Sequence, residues 1–83
     1  MPLNPGSADL GLVMAARKTV RVLRDHGEPV SKRVLIELVK EKLKASTETK
    51  RAAIELAVSW GCIALENGDR NALLHRYVKD PDK

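Results

Sequence analysis

The sequence predicts a mainly α-helical domain that ends in a small β-hairpin. Two patterns carry this expectation. Apolar residues recur at helical spacing in three separate stretches, each bounded by a capping residue or a glycine. After Gly61 the pattern changes: a short apolar run, Asn67-Gly68 and a second apolar run follow one another, which is how a hairpin reads. Length bounds the rest. A chain of 83 residues makes one domain at most, with a small core that buries about 60% of the unfolded surface.

The elements follow in order. Residues 1–8 read as a flexible arm, 9–78 as the folded domain and 79–83 as a polar tail. Ser7 and Asp9 are both candidate caps for a first helix from about Ala8 to His26. Val13, Ala16, Val20 and Leu23 form its buried stripe, with Arg17, Arg21 and Arg24 beside it. Ala15 and Val22 fall opposite that stripe and read either as an exposed dimer contact or as simple edge burial. Gly27 fits the position that ends a helix, and Pro29 prevents its return. Gly27 to Val30 is a connector or a one-bridge strand. Ser31 caps a second helix from about Lys32 to Ala45, with Leu35, Leu38, Val39 and Leu43 facing inward.

Ser46 and Thr47 are both suitable caps for a third helix from about Glu48 to Trp60, so a tight turn is expected before it. Ala53, Leu56, Ala57 and Trp60 commit one of its faces to the core, and Gly61 stops it. Cys62–Glu66 and Ala72–Val78 are the hairpin strands, joined at Asn67-Gly68, where both residues accept positive φ. Two registers remain open. A four-residue loop puts Ala72 opposite Leu65, and a five-residue loop selects Leu73, His75 and Tyr77 for the inner face.

Composition narrows the function classes. Charged residues make up 31% of the chain and the formal net charge is +4, which suits an acidic partner, nucleic acid being the commonest. The excess is local: residues 17–45 hold nine basic and four acidic groups, whereas residues 46–60 and 61–83 are each balanced. One Trp, one Tyr and no Phe cannot both fill a core and line a platform for single-stranded bases. A lone Cys excludes an internal disulfide, and one Cys with two His is too few for a Cys-bearing zinc site. No apolar stretch approaches the roughly 18 residues of a membrane span. The N-terminus lacks a basic segment followed by an apolar run. A cytoplasmic protein without membrane contact is expected.

No His or carboxylate is spaced to activate a nucleophile, and no phosphate-cradling glycine loop is present. The reading is therefore not an enzyme, with no cofactor and no metal. His26 reads as favourable charge at a helix C-terminus, and His75, Cys62 and Trp60 as packing. Asp80 and Asp82 fall in the tail, read as mobile.

The order of helix, short connector, helix, turn, helix, Gly and hairpin resembles the winged helix-turn-helix superfamily of DNA-binding domains. The residues that carry the likeness are Val22-Leu23-Arg24 and Gly27, Pro29-Val30-Ser31, Ser46-Thr47, Arg51 to Leu56, Trp60-Gly61-Cys62-Ile63 and Asn67-Gly68. The likeness covers about residues 9–78 and selects no single family. It implies a three-helix fold with a hairpin wing that binds double-stranded DNA, the third helix entering the major groove.

Under that resemblance Thr47, Thr49, Lys50 and Arg51 are candidate groove contacts. Arg70 at the wing tip is a candidate minor-groove or phosphate contact. Lys32 and Arg33 are candidate phosphate contacts at a helix N-terminus. Each has a plainer reading. Arg51 is a solvated side chain or the partner of Glu55 at i, i+4, and Lys50 lies along the core face. The implied role is transcriptional regulation or plasmid or phage partition or replication, by a homodimer that is nucleoid-associated when bound. The alternative is a winged-helix protein-interaction module within a larger complex, the basic stripe of the first helix facing an acidic protein.

Overall fold

A computed structural model describes residues 10–81. Among them are three helices and a small three-stranded antiparallel sheet: α1 Leu10–His26, β1 Val30–Ser31, α2 Lys32–Lys40, α3 Thr47–Ser59, β2 Ile63–Asn67 and β3 Leu73–Tyr77. The candidate caps Ser7 and Asp9, the arm at 1–8 and Asp82 lie outside the described residues. No described helix is long and apolar enough to cross a membrane.

Helix α1 packs most extensively against α3. Ala15 and Ala16 on α1 and Ala53 and Ala57 on α3 are all buried, so neither backbone is held off by a large side chain. Ala15 is only 2% exposed, which corrects its reading as a surface dimer contact. The buried face of α1 is a wide stripe rather than a single row, because it meets both α2 and α3. Val22 is half-buried at the edge of the same core. Thr19 is buried too, and its hydroxyl donates to the Ala15 carbonyl at 2.8 Å, so no polar group is stranded there.

Ser31 caps α2 as expected, its Oγ accepting from the Val34 amide at 3.3 Å. The helix ends at Lys40, earlier than the sequence spacing suggests. The amides of Lys42 and Leu43 both donate to the Val39 carbonyl, at 2.9 and 2.8 Å, so the last turn tightens and closes. Residues 41–46 then separate α2 from α3, which corrects the expected tight turn. The chain uses this length to bring Ser46 to an extended φ of −67° and ψ of 162°. In that conformation its Oγ accepts from the Thr49 amide at 3.1 Å, so Ser46 and not Thr47 is the cap.

Gly61 ends α3 at a φ of +80°. Its amide donates to the Val58 carbonyl at 2.9 Å and the Cys62 amide to the Ala57 carbonyl at 3.1 Å, the paired bonds of a left-handed helix stop. Gly61→Ala puts a Cβ into that backbone conformation and is expected to cost about 1–2 kcal/mol. Urea denaturation measures it, and an unchanged midpoint contradicts the assignment.

The sheet order is β1-β3-β2. Ile63 pairs with Tyr77, Leu65 with His75 and Asn67 with Leu73, so the five-residue loop is the one formed. Val30 pairs with His75 from the other side. The loop is not a two-residue Asn-Gly turn. Gly68 has a negative φ of −105°, and the left-handed residue is Arg70, at φ 59° and ψ 38°. Gly68 serves by its size: a Cβ there would lie 2.8 Å from Leu74 Cδ1. The Gly68 amide donates to the Ala72 carbonyl and the Ala72 amide to Asp69, which closes the loop.

The core holds Val20, Leu23, Val30, Leu35, Val39, Ile54, Cys62 and Ile63 with the four alanines. Burial pushes the Cys62 thiol pKa up, as befits a small buried hydrophobe. Trp60 is half-buried against this core. After β3 the Val78 amide donates to the Cys62 carbonyl at 2.8 Å. Asp80 is anchored: Arg24 Nη1 donates to both its oxygens at 3.1 Å, and Tyr77 Oη donates to Oδ1 at 3.1 Å. That corrects the reading of Asp80 as part of a mobile tail. Burial and this carboxylate together hold the Tyr77 phenol pKa above its ordinary value.

Candidate nucleic-acid interface

The side chains singled out in the sequence reach the surface in three places. At the start of α2, Arg33 is exposed and Lys32 is half-buried. In the first turns of α3, Thr47 and Arg51 are exposed and Thr49 is half-buried. At the hairpin tip Arg70 is exposed, and its left-handed backbone forms the corner of the loop.

Two of these residues behave differently from the expectation. Lys50 is only 7% exposed, so it lies along the core face. It shares the buried side of α3 with Ala53, Ile54 and Ala57, where a long aliphatic stem packs well. Lys32 is already engaged: its Nζ stands 3.6 Å from Glu55 Oε2. Glu55 therefore pairs across to α2 and not with Arg51 at i, i+4. Arg51, Arg33 and Arg70 have no ion pair among the described residues.

The local electrostatics favour an anion at one end of α3 and not at its middle. The first-turn amides and the helix dipole make the N-terminus attractive to phosphate. The Ser46 cap consumes the Thr49 amide, and the Ser46 hydroxyl donates to Thr49 Oγ1 at 3.0 Å, which fixes that hydroxyl. Glu48, exposed in the same turn, works against the attraction.

Further along, the face turns apolar. A groove of about 310 Å³ runs between α3 and the hairpin, lined by Ile54, Val58, Leu65 and Leu73 with Lys32, Glu55 and His75. Leu65 and Leu73 are exposed at its edge. The sequence reading missed this groove. Its only signal was the five-residue register, which puts Leu73 and His75 on the same face as Leu65.

His75 is 4% exposed, and its Nδ1 has no hydrogen-bond partner. Burial first, and then the neighbouring Lys32 charge, lower its pKa, while a hydrogen bond with the Val30 backbone partly opposes them. The folded state thus prefers neutral His75. An unfolded histidine titrates near about 6.5, so below that pH the unfolded chain binds the proton more readily and stability falls with pH. Thermal melts are expected to show a lower Tm at pH 5.5 than at pH 7.5, with a slope from this one group of at most about 1.4 kcal/mol per pH unit. His75→Gln flattens that slope, and a slope unchanged by the substitution contradicts the assignment.

Comparison of the chain with protein-family models, with curated proteins and with solved structures finds no match.

Proposed function

We propose that the chain is a winged helix-turn-helix protein that docks on double-stranded DNA. One observation carries the reading. Arg33 on α2, Arg51 on α3 and Arg70 in the hairpin loop are all exposed and have no ion pair among the described residues, and Thr47 joins them at the start of α3. The element order and the β1-β3-β2 sheet support it.

The mechanism is docking without chemistry. Arg33 neutralises a phosphate beside the N-terminus of α2. The first turns of α3 enter the major groove, where Arg51 donates two parallel hydrogen bonds to a guanine edge and Thr47 contacts a neighbouring base or phosphate. Arg70 holds the backbone at the hairpin. The apolar groove and Glu55 mark where phosphates do not run, since neither offers them a partner.

Fluorescence anisotropy with a labelled duplex over a series of salt concentrations tests the reading. Each phosphate neutralised contributes about −0.9 to the slope of log K against log salt. Arg70→Ala is expected to reduce that slope by about 1. Absence of binding even at low salt overturns the proposal.

A further inference from the structure

We propose that the outer edge of β2 is the interface of a homodimer, paired antiparallel with the same strand of a second copy about Leu65. This goes beyond the DNA reading and does not rest on it. In the order β1-β3-β2 both outer strands are sheet edges, and the two differ. β1 is only two residues long and runs straight into α2, so it is too short to template a partner. β2 has five residues, Ile63–Asn67, with no Pro, no Lys and an unbroken register. Pro, Lys and bulges are what ordinarily guard an edge of this length. The ladder fixes which backbone groups face outward. The Val78 amide donates to the Cys62 carbonyl and the Gly68 amide to the Ala72 carbonyl, so Cys62, Ala64, Glu66 and Gly68 bond toward β3. The amides and carbonyls of Ile63, Leu65 and Asn67 therefore point away from the sheet, and no other described residue takes them up.

Self-complementarity selects a second copy as the occupant. A two-fold axis at Leu65 sets Leu65 against Leu65, Ile63 against Asn67 and Ala64 against Glu66, so no like charges are opposed. Leu65 is exposed and gains its own counterpart, on the face it shares with Leu73. On the other face Arg76 stands opposite Ala64, and beyond that small side chain comes Glu66 of the second copy. Arg76 already donates to its own Glu66 at 2.9 Å, so the joint brings two arginines and two glutamates together. α3 leads into β2 at its Ile63 end, through Gly61 and Cys62. The antiparallel pairing thus sends the two α3 helices toward opposite ends of the joint.

Analytical ultracentrifugation of the full chain over a concentration series measures the assembly. A dimer with a micromolar dissociation constant is expected. Leu65→Lys, at an exposed site, is expected to weaken it by more than about tenfold while the far-ultraviolet circular dichroism stays that of wild type. Leu65→Cys tests the register. Cα atoms in a hydrogen-bonded antiparallel pair stand about 5.5 Å apart, within disulfide range, so two copies of this variant are expected to cross-link in air. Asn67→Cys is expected not to, because its two copies would lie about 13 Å apart along the strands. Cys62 is buried and stays out of the reaction. A monomer at every concentration overturns the proposal. So does a dimer indifferent to Leu65→Lys, or cross-linking of Asn67→Cys as readily as of Leu65→Cys.

Discussion

Leu35→Ala is expected to destabilise the fold by about 2–5 kcal/mol. Leu35 is fully buried, at 0% exposure, on the inward face of α2. The core around it contains few large side chains: the four alanines between α1 and α3 bring backbones close but contribute little apolar volume. Leu23, Leu35, Ile54 and Ile63 therefore account for much of the buried bulk. Truncating one leaves a cavity that the closely packed helices around it cannot collapse to fill. Domains of this size have a total stability near about 0.05–0.15 kcal/mol per residue, so the loss is a large share of the whole. Urea denaturation followed by far-ultraviolet circular dichroism measures it. Leu35→Met, which conserves volume, is expected to cost less than about 1.5 kcal/mol and serves as the control. A loss from Leu35→Ala as small as that of the control contradicts the packing described.

Arg51→Ala carries the second large effect, on binding instead of stability. Its guanidinium is exposed and has no ion pair among the described residues, because Glu55 pairs with Lys32. Removing it is expected to weaken the preferred duplex by about 1–3 kcal/mol and to relax discrimination at one base pair. Arg51→Lys is not expected to restore that discrimination, since an ammonium lacks the planar fork that reads two acceptors at once. Anisotropy titrations against a duplex selected from a random pool, and against its single-base variants, measure both quantities. Equal affinity of wild type and Arg51→Ala for all of these contradicts the placement of α3 in the groove.

The contrast between Arg51 and Lys50 shows what a sequence can and cannot reveal. Both are long cations on one helix, one residue apart. Arg51 falls squarely opposite the buried stripe, and helical spacing alone puts it outside. Lys50 falls at the stripe's edge, and only the way α3 lies on its neighbours buries it. Punctuation by local chemistry was legible. Ser31, Gly27 and Gly61 act within one turn of themselves, through hydrogen bonds or positive φ that no distant residue has to supply.

Pairings over long separations were not legible. Arg24 and Asp80 lie 56 residues apart, and neither carries a local sign of the other. Lys32 and Glu55 meet only because α2 and α3 are brought together. The hairpin shows a related limit. Asn67-Gly68 is a strong turn signal taken alone, yet Leu74 packs over Gly68 and the left-handed residue becomes Arg70. The apolar groove depended on that same register, which a slip of one residue would have turned inside out.

Amide chemical-shift mapping on the full chain, titrated with an unlabelled duplex at low salt, tests the DNA reading most directly. The account predicts the largest shifts at Arg33, Thr47 to Arg51 and Arg70, with little change around Val22 and Leu38. Shifts confined to α1 and α2, or none at any duplex concentration, would contradict it.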